Sequence, residues 1–306
     1  MKRTLLKTFK LNLPLLVLMI PGLLHFLFFN YLPMAGVVIA FKNFNYRQGI
    51  FHSPWSGLEN FRFLFKSRYA WIITRNTVLY NLSFIIITLI FAVILAILLN
   101  EIRAKTARKI YQSILILPYF FSWVVISYLV SAFLDADQGF INRVIAPLFG
   151  IRTVSWYSET MPWPMILVLV NSWKFIGYNS IIYYAAISTI DPNLYEAAVI
   201  DGAGRVRQIL SVTLPSITPH MIIMILLGIS NIFRADFGLF YNVPKHSGAL
   251  YEVTQVVDTY VYIGLKKLGD IGMATAAGLY QSVVGFVLVF TTNFAIRRVS
   301  PENALF

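Results

Sequence analysis

Six stretches of this 306-residue chain run nearly free of charge for long enough to cross about 30 Å of hydrocarbon: roughly 13–38, 77–99, 112–134, 162–188, 216–240 and 273–296. Lipid supplies no water to unpaired backbone groups, so a spanning segment must be a helix or a strand of a closed barrel. These runs lack the alternation of barrel strands. The expectation is therefore an all-α membrane protein with six transmembrane helices. No internal repeat or low-complexity linker divides it, so residues 1–306 read as one domain. Composition agrees, with 12% charged residues against about a quarter in soluble domains.

Lys2, Arg3, Lys7 and Lys10 ahead of the first run imitate a secretory signal. The run outlasts the ~7–15 apolar residues of a cleavable signal, so it is expected to stay as a first span, bent or bounded by Pro14, Pro21 and Pro33. Basic residues crowd short segments at Arg103, Lys105, Arg108 and Lys109, at Arg205 and Arg207, and at Arg297 and Arg298. On the opposite side they are spread over long connectors, which count for less. Both termini and the 191–215 loop are thus expected in the cytoplasm. The formal charge of +12 then reflects residues at anionic headgroups, and no nucleic-acid face is expected.

The catalytic inventory is sparse. There is no cysteine and no G-x-x-x-x-G-K-[ST] loop to cradle nucleotide phosphates. His25, His52, His220 and His246 are dispersed, and Asp135 and Asp137 read as solvated loop carboxylates more readily than as a metal pair. No catalytic residue, metal site or cofactor is assigned to this chain.

Polar residues inside the spans are the candidates for substrate contact. The fourth span carries Asn171, Trp173, Lys174, Tyr178 and Asn179, of which 171, 174 and 178 share a helical face. An ammonium at that depth is costly unless paired, hydrated or facing a cavity. The fifth span carries Asn231, Phe233, Arg234 and Asp236. On a regular helix Arg234 and Asp236 point apart, so Asp236 is expected to pair with Lys174, while Arg234 either lines the cavity or snorkels to headgroups. Two further surfaces stand out. Phe61, Leu64, Phe65, Tyr69 and Ile72 recur at helical spacing in the 42–76 connector, which suggests a helix lying among headgroups. Ala274, Gly278, Ser282 and Gly285 form a small-residue row suited to close helix packing, with this chain or with another.

Between the fourth and fifth spans runs LYEAAVIDGAGRVRQILSVTLP, residues 194–215. Asp191 can cap a helix whose first residue is Pro192, and Gly202 and Gly204 can end it in left-handed conformations. A helix of about three turns results, too short to span a bilayer. A second short helix, Arg205 to Val212, would lead back into lipid at Pro215.

Glu196, Ala197, Ala198, Gly202, Leu214 and Pro215 occupy the fixed positions of the EAA loop, and this segment resembles the cytoplasmic loop by which permease subunits of bacterial ATP-binding cassette (ABC) importers dock onto their ATPases. Val212 stands where isoleucine is usual. NSWKFIGYNSIIYYAAISTIDPNLYEAA at 171–198, DTYVYIGL at 258–265 and Ala304-Leu305-Phe306 extend the resemblance to carbohydrate importer permeases, in pattern nearest to the branch handling oligosaccharides and polysaccharide fragments. The resemblance implies a type I ABC importer permease fold, a second homologous permease, two cytoplasmic ATPases carrying ATP and magnesium, and an extracytoplasmic solute-binding protein. It also implies that Glu196 is a mechanical contact. Two other readings compete: a secondary transporter or channel needing no ATPase, and a membrane glycosyltransferase, for which the sequence offers no convincing carboxylate set.

Overall fold

In a computed structural model, which describes residues 2–62, 66 and 68–299, the chain is built from helices with no strand among the described residues. Five helices are long and apolar enough to cross a membrane, and a sharply bent pair supplies a sixth candidate. Ala304, Leu305 and Phe306 lie outside the described residues.

Helix α1, Lys2–Phe26, contains Pro14 and Pro21 and continues through a wider π-turn, Leu27–Tyr31, to a tighter 3-10 segment, Ala35–Phe41. Leu15, Leu18, Met19 and Leu23 on it are exposed within this chain. Helix α2, Arg68–Glu101, begins well before the expected start at 77. Tyr69 and Ile72 therefore belong to the second span and not to a separate headgroup helix; Leu64 and Phe65 lie outside the described residues.

The third run does not form one helix. Helix α3, Lys105–Ile116, gives way to a 3-10 turn, Leu117–Phe120, and helix α4, Trp123–Leu134, leaves at 98°. The sequence explains the break: Pro118 lacks an N–H, and Ser122 Oγ accepts from Val125 N at 3.3 Å as a new N-cap. Helix α5, Trp163–Ser188, packs along α2 in the most extensive helix pair of the molecule. Lipid provides no hydrophobic drive between spans, so small residues carry this approach. Ala92, Ala96 and Ala186 meet Tyr183, Ile187 and Ile217 in one buried cluster. Where α5 meets α3, a Cβ built on Gly177 would lie 1.8 Å from the Leu115 carbonyl oxygen, so only glycine fits.

After the short helix α6, Pro192–Ile200, the chain enters α7, Arg205–Ser230. The expected separate helix 205–212 is the first part of this span, continuous through a π-turn at Ile209–Thr213. The fifth span thus starts earlier than 216 and stops ten residues short of 240. A non-helical stretch follows, then α8, Phe237–Asn242, α9, Val257–Ile263, and the last long helix α10, Ile271–Val299. A second buried cluster joins α2, α4, α5 and α8 through Tyr80, Ile126, Trp163, Leu167, Leu239 and Phe240. On α10, Ala274 is buried, but Cβ atoms built on Gly278 and Gly285 would meet only open space, so no helix among the described residues packs directly on those two positions.

Candidate functional site

The fifth span ends where Asn231 and Asp236 offer alternatives to the helical ladder. Asn231 turns its amide back to the Leu227 carbonyl at 3.0 Å. Asp236 caps α8, its Oδ1 accepting from Gly238 N at 2.9 Å and Leu239 N at 3.4 Å. Short polar side chains that compete with the backbone in this way end helices. Residues 231–236 are left with backbone groups that lipid cannot satisfy, and neighbouring spans satisfy them. Asn81 of α2 donates to Ile232 O at 2.8 Å and Arg234 O at 3.3 Å. Asp258 of α9 accepts from Ala235 N at 2.8 Å, and Gln281 of α10 donates both to Phe233 O and to that carboxylate. The same helix holds a second irregular stretch: Asn76 donates to the carbonyls of Glu252 and Gln255, and Tyr80 to that of Val253.

Against the unwound segment lies a cavity of about 480 Å³ between α2, α5 and α7. Its polar lining comprises Asn81, Thr88, Asn171, Asn179, Asn231, Arg234 and Asp236, set among Phe84, Phe175, Tyr183 and Met224. A second cavity, about 290 Å³, opens on the α10 side of the same segment and shares Asn231 and Arg234 with the first.

Of the nine residues expected along a substrate path, five converge here: Asn171, Asn179, Asn231, Arg234 and Asp236. The other four do not. Lys174, 6% exposed, points to the break in the third span and donates to Tyr119 O at 2.8 Å and Phe121 O at 2.5 Å, with its ammonium 5.2 Å from the Trp123 ring. Tyr178 stacks on Tyr119 at 4.4 Å, Trp173 lines an apolar groove against α4, and Phe233 is buried edge-on to Tyr280. The expected Lys174–Asp236 ion pair does not form. Asp236 Oδ2 instead accepts from Trp123 Nε1 at 2.6 Å, so one indole lies between the ammonium and the carboxylate partners. The premise behind that pairing, a regular helix through 236, fails at the break.

Asn81, Thr88, Asp258 and Gln281 were not singled out by the sequence reading. The signal that marks them is an amide, hydroxyl or carboxylate within or beside an apolar span, a position where polar groups are costly unless used. Asp135, in the outer connector, accepts from Asp137 N at 3.1 Å and Gln138 N at 3.0 Å; these bonds hold its carboxyl below the usual range and make the pair a turn-forming device.

The 191–215 loop is the second functional element. Asp191 Oδ1 accepts from Asn193 N at 3.0 Å, with Pro192 at the first helical position. At the other end Gly202 adopts φ 76°, Ala203 N bonds to Ala198 O at 2.8 Å and Gly202 N to Val199 O at 3.0 Å, a Schellman closure. Gly204 differs from expectation: it is extended and starts α7. Both ends of a nine-residue helix are thereby fixed although its body packs on little. Glu196, Ala197, Val199 and Ile200 are exposed, the last at 86%. A bond of 2.9 Å between Tyr195 Oη and Thr213 Oγ1 ties α6 to α7, and Gln208 Nε2 donates to Ala203 O at 2.8 Å. Leu214 and Pro215 sit within α7, one and two residues beyond that tie.

Residues 88–301 match the family described as binding-protein-dependent transport system inner membrane component. The chain belongs to that family. The permease is 35% identical over 290 residues to the polygalacturonan/rhamnogalacturonan transport system permease protein YteP of Bacillus subtilis (strain 168), an alignment covering 94% of this chain and 89% of the relative. Its fold is similar to that of a bacterial ABC transporter involved in the import of the acidic polysaccharide alginate, with TM-score 0.88, 31% identity, and 97% and 99% of the two chains covered. A bacterial alginate ABC transporter in complex with an alginate pentasaccharide-bound periplasmic protein is also similar, with TM-score 0.87, 31% identity, and 96% and 97% covered. The permease is thus a multi-pass inner-membrane component of a transport system, and its family is one of transporters and not of enzymes.

Proposed function

We propose that the permease forms half of the translocation pathway of an ATP-driven importer of oligosaccharides or polysaccharide fragments, and that it is driven through α6. The observation that carries the reading is a short helix capped at both ends yet left exposed, with the E-A-A triplet on it. Adjacent alanines let a partner groove approach the backbone, and Glu196 offers a charge to a basic residue. Gly202 closes the helix, and Leu214 and Pro215 stand within α7 just past the 195–213 tie. From Arg205 α7 runs 26 residues, about 39 Å, to the break at Asn231 that borders the cavity. A stiff helix tied at 195–213 would carry displacement of α6 to the cavity wall.

In this reading two ATPase subunits bind ATP and magnesium and engage α6 from the cytoplasm, where both termini also lie. A second homologous permease covers the exposed faces of α1 and α10, and an extracytoplasmic solute-binding protein delivers the sugar. The whole chain acts as one transmembrane domain. The saccharide permease YteP and the alginate transporter structures support the substrate class. Transport against a gradient requires that the two conformations differ in affinity for the sugar, not that either binds tightly. Glu196→Lys is the test: in proteoliposomes holding the complete importer, ATP hydrolysis should persist while uptake falls at least about tenfold. Unchanged uptake would refute the role given to α6. A secondary transporter or channel would copurify with no ATPase in stoichiometric amount.

A further inference from the structure

The cavity at the break is lined by one arginine. Arg234 is exposed, and its guanidinium makes no hydrogen bond or ion pair among the described residues. The two nearest carboxylates are already engaged. Asp236 accepts from the Trp123 indole and from two backbone N–H groups at the start of α8; Asp258 accepts from Ala235 N and Gln281. Lys174, the other cation of this region, is capped by carbonyls on the far side of Trp123. Asp258 lies within electrostatic reach of Arg234 but forms no ion pair with it, and neither carboxylate can turn its oxygens to the guanidinium without giving up bonds that hold the unwound segment.

A second observation points the same way. Asn171 lines the cavity at only 5% exposure, and its amide makes no side-chain hydrogen bond among the described residues. An amide and a guanidinium, neither with a side-chain hydrogen bond among the described residues, therefore border the same cavity, with Asn231 alongside, and Arg234 also borders the adjoining cavity. The fork of a guanidinium matches a carboxylate bidentately, and amides match sugar hydroxyls. At membrane depth a guanidinium with no hydrogen-bond partner is retained at a cost unless something meets it.

We propose that Arg234, flanked by Asn171 and Asn231, is the charge-selecting contact of the translocation cavity, and that the oligosaccharide it admits carries carboxylates, as uronates do. This rests on the reading of the chain as a saccharide importer permease and adds to it the residue that sets the sign of the cargo. Held by its own backbone bonds to Asn81 and Asn231, Arg234 meets the sugar acid as the break forms one wall of the path.

The complete importer, reconstituted in proteoliposomes, tests this by ATP-driven uptake of a galacturonate trimer and a mannuronate trimer, each compared with its fully methyl-esterified form. The wild type should favour at least one free acid over its ester. Arg234→Gln should lower that acid-to-ester ratio about tenfold, Arg234→Lys should recover much of it, and Asn231→Asp, which sets a competing carboxylate beside the guanidinium, should lower it independently. Asn231→Asp also serves where Arg234→Gln fails to assemble. A ratio unchanged in Arg234→Gln and Asn231→Asp overturns the proposal, as it would if Arg234 met only a lipid phosphate. A wild type that imports the esters but neither acid overturns it and leaves the importer reading intact. A wild type that imports no saccharide of either kind overturns both.

Discussion

Replacing Lys174 by methionine separates a structural ammonium from a substrate ligand. Its Nζ donates at 2.8 and 2.5 Å to the carbonyls of Tyr119, inside the turn between α3 and α4, and of Phe121, just after it. Each hydrogen bond from a charged group contributes about 1.5–3 kcal/mol, and its loss also leaves a buried carbonyl unsatisfied. The ammonium lies 5.2 Å from the Trp123 ring, a contact worth about 2 kcal/mol when desolvated. Methionine fills most of the lysine stem and removes the desolvation cost of the charge, which returns part of the loss. The net is about 3 kcal/mol, roughly a hundredfold in the equilibrium between the bent and loosened third span. Thermal unfolding of the detergent-solubilised importer should shift down by several degrees. Whatever fraction remains assembled should keep the wild-type order of preference among saccharides, because Lys174 does not reach the cavity. A Lys174→Met variant of wild-type stability whose substrate preference changes would refute this placement.

Two further perturbations follow from packing and charge. Gly177→Ala places a methyl 1.8 Å from Leu115 O, which a backbone shift of more than about 1 Å must relieve, so it should cost about 3 kcal/mol or more and reduce the yield of assembled protein in size-exclusion chromatography; normal yield would contradict the approach of α3 to α5. Burial, and next the Lys267 ammonium 2.9 Å from its Nε2, hold the His246 imidazole below its ordinary range. Its neutral form is therefore favoured by folding, and the stability this contributes is present above about pH 6.5 and lost as pH falls below it. Amide exchange over residues 244–251, taken relative to the base-catalysed intrinsic rate at each pH, should lose protection from pH 7.5 to 5.5, and His246→Gln should abolish that loss while leaving the left-handed turn at Lys245 and His246 in place.

Much of this architecture could be read from the residues. Apolar runs located the spans because each buries its own backbone bonds, and Asp191, Pro192 and Gly202 defined α6 because capping is a local property. What escaped depends on contacts between spans. Pro118 and Ser122 mark the bend in the third span, yet a continuous apolar run gave no reason to break it. Asp236 looked like an ion-pair partner because the helix was extended through it; as an N-cap it ends that helix and takes the Trp123 indole. Lys174 was correctly flagged as a group that cannot face lipid, but free carbonyls at a neighbouring break were an acceptor that no single-span reading supplies. Asn81 and Gln281 were passed over because their task, holding another span's backbone, appears only once residues 231–236 are seen unwound.

The central claim is that α6 faces the cytoplasm and passes the motion of an ATPase to the cavity through α7. The chain has no cysteine, so Ala197→Cys introduces a single thiol on the exposed helix, and Met161→Cys, at a position 91% exposed in the connector before α5, provides an opposite-face control. In inverted vesicles treated with a short thiol-to-amine cross-linker, Cys at 197 should give a permease–ATPase adduct whose yield changes with bound nucleotide, and Cys at 161 should give none. A thiol at 197 that reacts only from the outer face, or an accessible one that never joins an ATPase, would contradict the account.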